Sequence, residues 1–206
     1  MHLTDQLTIF TRYPEPGQTK TRLIEELGED GAAALQKELT EKTMQKIDQM
    51  VPTSTFEPVI YFAGGELARM QSWLGQDRHY KRQADGDLGE KLKRAFADAF
   101  NAGAQRVVAI GCDCPGLAKE HIDRAFDILY FNDLALGPAT DGGYYLIGIS
   151  RPLDELFENI PWGTDKVFDT TVSLAQQLGL SAEILEELHD VDRPEDLKHL
   201  YHNTSP

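Results

Sequence analysis

At 206 residues, 41% hydrophobic and 26% charged, the chain is long enough to bury a full core and is expected to form one domain over 1–206. Its formal charge of −14 is uneven, −3 over residues 1–103 and −11 over 104–206. This balance excludes general nucleic-acid binding, which needs a basic face to release phosphate counterions. No apolar run approaches the roughly 18 residues that span a bilayer, and residues 1–6 lack a secretory pattern. No membrane association and a cytoplasmic location are therefore expected.

Short β-rich runs alternate with longer helical patterns. Residues 6–11 (QLTIFT) predict a first strand, 31–50 a helix and 58–63 (PVIYFA) a second strand. A helix is expected over 87–101, where Leu88, Leu92, Ala95, Phe96, Ala99 and Phe100 share one stripe and Gly103 provides the stop. Residues 106–111 (RVVAIG) form the continuous apolar run of a strand covered on both faces. A helix over 118–129, strands over 133–137 and 144–149, and a helix over 164–178 complete the series. The βα alternation predicts a doubly wound, Rossmann-like α/β sheet, mixed because 134–149 can double back. Ligands of such sheets gather beyond the carboxyl ends of the strands, which draws attention to the loops after Thr11, Gly111 and Pro138.

The first of these loops holds Arg12, two prolines, Gly17, Lys20 and Arg22. A stiff turn ahead of a helix start carrying cations predicts a phosphate site. It is neither a Walker A loop, since Thr19 stands where that motif needs glycine before the lysine, nor a G-x-G-x-x-G fingerprint. In the second loop Asp113 follows the buried strand directly, where a hard oxygen suits Mg²⁺ or Mn²⁺; capping of the next helix is the alternative. Asp141-Gly142-Gly143 before Tyr144 and Tyr145 reads either as a hairpin turn or as a carboxylate with room for close substrate approach. Asp192, ahead of Arg193 and Pro194, suits an N-cap, whereas Asp190 has no such structural task. A phosphate facing a carboxylate at about 4 Å is opposed by ~4 kcal/mol per charge pair, so basic and acidic loops at one sheet edge imply a divalent cation between them. Cys112 and Cys114 are too close in sequence for an ordinary disulfide and read as small buried residues. The six histidines show no metal-ligand spacing.

The strings IFTRYPEPGQTKTRL (9–23), QADGDLGEKLKRAF (83–96), VVAIGCDCPGL (107–117), LGPATDGGYYLIGI (136–149), IPWGTDKV (160–167) and DVDRPEDL (190–197) span nearly the whole chain. Together they resemble a bacterial family with the nucleotide-diphospho-sugar transferase fold (glycosyltransferase type A). Its members are often described as radical-SAM-associated or arsenosugar-biosynthesis-type glycosyltransferases. More distantly the chain is similar to the guanylyltransferases of molybdenum-cofactor and deazaflavin-cofactor synthesis, though it lacks the Gly-Gly start of the molybdenum type. The resemblance implies phosphate contacts for Arg12, Lys20 and Arg22, metal ligation by Asp113 with Asp190 as second ligand, and a base or ribose pocket bordered by Gln83, Gly86 and Leu88.

Three functions remain open at this point. The first is a Mg²⁺- or Mn²⁺-dependent glycosyltransferase acting on a nucleotide sugar and a small acceptor. Asp141 would be its general base, and Gly142, Gly143, Tyr144 and Trp162 would form the acceptor or sugar pocket. The second is a nucleotidyltransferase that joins a nucleoside monophosphate from a triphosphate to a phosphorylated small molecule and releases pyrophosphate. The third is a catalytically silent nucleotide-binding protein.

Overall fold

The computed structural model describes residues 5–200, so His2 and His202 lie outside the described residues. Seven strands form one mixed sheet. They are β1 (Asp5–Arg12), β2 (Phe56–Ala63), β3 (His79–Arg82), β4 (Val107–Gly111), β5 (Leu134–Pro138), β6 (Tyr144–Ile149) and β7 (Ala182–Ile184), in the spatial order β3-β2-β1-β4-β6-β5-β7. Only β6 runs against its neighbours, pairing antiparallel with β4 and β5. That reversal realises the doubling back expected for 134–149.

Five α-helices cover the sheet: α1 (Ile24–Met50), α2 (Leu67–Leu74), α3 (Leu88–Asn101), α4 (Lys119–Ile128) and α5 (Val167–Gln177). Alternation along the strands divides the core in two. Leu7, Ile9, Ile60, Phe62, Val108 and Ile110 pack with Met44 and Ile47 of α1, Met70 of α2 and Phe126 of α4. Val107, Ala109, Leu134, Leu136, Ile147 and Ile149 pack with Leu92 and Phe96 of α3 and Ala175 of α5. Strand β4 is thus buried from both sides, as its unbroken apolar run requires.

Several boundaries depart from expectation. Helix α1 starts at Ile24, and Gly28, at φ +72° and ψ 169°, kinks its first turns, so only the part beyond the kink was visible as a helical pattern. In α3, Asp87 caps the N-terminus by accepting from Glu90 N at 3.0 Å. Leu88 leaves the buried stripe and is exposed. Asp113 caps no helix, because α4 begins six residues later, after Ala118.

The order of the strands fixes where a ligand can enter. The chain winds outward from β1 through β2 to β3 and then resumes on the other side of β1 with β4. The crevice between the carboxyl ends of β1 and β4 is therefore the topological switch point, where the flanking loops diverge. Because β6 is reversed, its first residues, Tyr144 and Tyr145, reach this same edge.

Candidate active site

Two cavities of about 610 and 750 Å³ open at the switch point and share Arg22, Leu88, Gly111, Asp113, Tyr144, Tyr145 and Asp192 along their walls. They form one cleft with unlike ends. The first end is bordered by Arg12, Lys20, Arg22, Gln83 and Lys91, and the second by Asp113, Asp141, Asp190, Asp192 and Trp162.

The basic loop is organised by its own polar groups. Thr19 Oγ1 accepts from Glu15 N at 3.2 Å and donates to Tyr13 O at 3.1 Å, closing the turn around the two prolines. Arg12 is exposed and donates to Gln18 O at 3.4 Å. Lys20 adopts the left-handed conformation (φ 46°, ψ 48°), which turns its side chain inward. Its ammonium donates to Val191 O at 2.6 Å and forms an ion pair with Asp113 Oδ1, also at 2.6 Å; the lysine side chain is 3% exposed and the Asp113 side chain 47%. Arg22 is held by Asp192 Oδ2 at 2.5 Å. Lys20 and Arg22, for which the resemblance implies phosphate contacts, each already carry an aspartate.

The acidic end is built from three chain segments. Asp113 follows β4, and its carbonyl accepts from Val191 N at 2.9 Å, which ties the β4 exit to the segment carrying Asp190 and Asp192. Asp141 sits at the tip of the β5–β6 connection, where its Oδ1 accepts from Gly143 N at 2.7 Å. Burial and the negative charge of Asp141 push the Asp190 carboxyl up to about 6. A carboxyl held there takes up a proton or a cation readily. Hard carboxylate oxygens and their mutual repulsion fit Mg²⁺ or Mn²⁺. Among the described residues, however, no three His, Cys, Asp or Glu side chains converge as a ready-made metal cage.

The structure revises several site expectations. Gly142, at φ +86°, does not leave space for a substrate: a Cβ there would lie 2.2 Å from Asp165 O, and Phe168 N donates to Gly142 O at 2.8 Å. Its missing side chain serves the packing of the 160s segment against the hairpin, and Gly142 N donating to Ala139 O shows that the hairpin reading is also realised. Gly143 borders the second cavity, but its amide is committed to Asp141. Gly86 borders neither cavity; its φ of +103° serves the turn before α3. Asp192 caps no helix but pairs with Arg22, and Asp196 instead accepts from the backbone N–H groups of Asp192 and Arg193.

Other expected residues do reach the cleft. Gln83 donates to Thr11 O and Tyr61 O, both at 3.0 Å, bracing the ends of β1 and β2 beside the first cavity. Leu88 borders both cavities, which explains why it leaves the apolar stripe of α3. Trp162 meets Tyr144 edge-on at 6.3 Å and lies so close to Gly89 that a Cβ there would sit 2.4 Å from the indole nitrogen. Gly89 was legible only as a helix residue of poor propensity. Gln36, a buried amide donating to Thr40 Oγ1 at 3.1 Å, also borders the first cavity and carried no sequence signal beyond its polarity. The two thiols are free and buried, and burial pushes the Cys112 thiol up to about 12 and raises that of Cys114 as well, which disfavours the thiolate that a nucleophile needs.

A family model described as "uncharacterized protein conserved in bacteria (DUF2064)" matches residues 46–164. The chain belongs to this family. A solved structure from Desulfovibrio desulfuricans G20, named as a candidate nucleotide-diphospho-sugar transferase, is 34% identical with a TM-score of 0.90, over 98% of this chain and 89% of that one. Rv0371c from Mycobacterium tuberculosis, solved in complex with manganese, is 16% identical over 96% of this chain and 98% of that one, with a TM-score of 0.57. A CMP:2-keto-3-deoxy-manno-octonic acid synthetase complexed with CTP is 10% identical over 96% of both chains, with a TM-score of 0.60. The last two show the fold alone, and no curated protein matches by sequence. This family member therefore has the α/β fold of nucleotide-diphospho-sugar transferases and cytidylyltransferases. None of the helices among its described residues is long and apolar enough to cross a membrane.

Proposed function

We propose that the chain is a transferase that moves a sugar from a nucleoside-diphosphate donor to a small acceptor with the help of Mg²⁺ or Mn²⁺. The observation that carries this reading is the single cleft with a basic end and an acidic end, joined through Arg22 and Asp113 at the switch point. The 34% identical relative supports it, since that protein is named as a candidate of the same class.

In this reading Arg12 and Arg22 hold the diphosphate by charge-assisted hydrogen bonds, while Gln83 and Leu88 border the nucleoside. Asp113 and Asp190 would hold the cation through their hard carboxylate oxygens. When bound, the cation offsets charge building on the departing diphosphate. Asp141 takes the proton of the acceptor hydroxyl through the carboxylate oxygen left free by Gly143. Trp162 and Tyr144 supply an apolar wall for the sugar.

The test is a donor screen. Purified protein with Mn²⁺ is offered UDP-, GDP-, CDP-, ADP- and dTDP-sugars with mixed acceptors, and release of nucleoside diphosphate is measured. Metal-dependent release with one donor is the expected result; none with any donor sinks the reading. Pyrophosphate release from a nucleoside triphosphate would instead assign nucleotidyl transfer. Asp113→Asn is expected to abolish Mn²⁺ binding with an unchanged circular-dichroism spectrum, and undiminished Mn²⁺ affinity removes Asp113 from the metal site.

A further inference from the structure

The basic and acidic ends of the cleft neutralise each other in a specific pattern. Lys20 is paired with Asp113, and Arg22 with Asp192. Lys20 is the more constrained of the two, being buried with a backbone carbonyl as its second partner and a left-handed backbone aiming it inward. A divalent cation approaching Asp113 alone meets a buried ammonium 2.6 Å from Oδ1 of the same carboxylate, which repels it. A diphosphate approaching Lys20 alone meets an ammonium whose charge Asp113 already offsets. Each ligand by itself therefore competes with the resident ion pair.

Arriving together, they exchange partners without leaving a charge unpaired. The phosphate oxygens replace Asp113 beside Lys20, and the cation replaces Lys20 beside Asp113. Lys20 borders the first cavity and Asp113 borders both, so each has a ligand-facing side. Resting on the donor and metal assignment above, we propose that Lys20 is the resident counter-ion of Asp113, a donor-binding residue that couples metal binding to donor binding. Reciprocity then requires the donor to raise metal affinity by the same factor as metal raises donor affinity, a coupling on the order of 5- to 150-fold.

The experiment titrates Mn²⁺ into intact protein by electron paramagnetic resonance, alone and with UDP, GDP, CDP, ADP or dTDP. The variants are Lys20→Gln, Lys20→Asn and Lys20→Arg. Asparagine tolerates the left-handed backbone, so Lys20→Asn guards against misfolding of the longer variant, and thermal melts confirm that each protein is folded. Removing the ammonium is expected to tighten Mn²⁺ binding in the absence of nucleotide by about 10-fold and to shrink the enhancement by nucleotide, on the scale of typical couplings. Lys20→Arg, which keeps the charge, is expected to leave Mn²⁺ affinity unchanged. A purely structural lysine would give weaker Mn²⁺ binding on removal, and that result, or no change, overturns the proposal. Equal tightening by Lys20→Arg also overturns it. If no nucleotide binds the wild-type protein, the donor assignment fails, whereas the nucleotide-free titration still decides whether Lys20 competes with metal at Asp113.

Discussion

Asp190 and Gly142 show how single residues carry the energetics of the cleft. The unfolded Asp190 carboxyl ionises near pH 4 and the folded one near 6, so between these values the folded state holds the extra proton. Stability contributed at this position is therefore lost as pH rises from about 4 to 6 and stays lost above. Partial exposure screens the effect to about 1–2 kcal/mol. In chelator, Asp190→Asn is expected to melt higher than wild type at pH 7.5 and at the same temperature at pH 3.5; equal melting at both pH values would contradict the burial argument. Gly142→Ala combines a positive φ with a Cβ driven into Asp165 O. It is expected to cost at least about 1–3 kcal/mol in chemical denaturation and to weaken donor turnover by displacing the 160s segment.

At the scale of elements, capping and burial predict very different costs. Asp87→Ala removes the cap of α3 and is expected to cost about 1 kcal/mol, whereas Ile9→Ala in the fully buried middle of β1 is expected to cost about 2–5 kcal/mol by urea titration. The same contrast explains what could be read from the sequence. The expected strand over 144–149 coincides with β6, and the run over 106–111 overlaps all of β4, because buried strands leave continuous apolar signatures. Strands β3 and β7 were missed. Both are edge strands of three or four residues, and β3 reads His-Tyr-Lys-Arg, the charged composition that keeps an edge from pairing with another chain. Helix α2 escaped notice because its eight residues bury only Met70 and Leu74. In the site, Asp113 and Asp141 were legible as carboxylates in the loops after strands, and Asp190 as an aspartate with no capping task. The Lys20–Asp113 and Arg22–Asp192 pairs were not, because local sequence does not encode which distant loops share a crevice.

For the whole molecule, the two apolar clusters draw on alternate residues of the same strands, so neither can come apart while the other stays packed. We expect one cooperative unit across the chain. The two tryptophans test this directly, since Trp73 packs against the first cluster and Trp162 against the second. The fluorescence of Trp73→Phe and Trp162→Phe should change at the same point as its own far-ultraviolet dichroism; separated midpoints within either variant would mean two units. The −14 charge also gains a location, since the acidic half supplies Asp113, Asp141, Asp190 and Asp192 to one cleft and the nearly balanced half supplies Arg12, Lys20 and Arg22.

The bond from Lys20 to Val191 joins residues 171 positions apart. On a ribosome adding about 5–20 residues per second, the two partners are made roughly 10–30 s apart. Throughout that interval the first loop is present without the segment that completes the cleft. A nascent chain can therefore lay down its central strands early, but the Lys20–Val191 bond that closes this side of the cleft forms only after residue 191 has been synthesised.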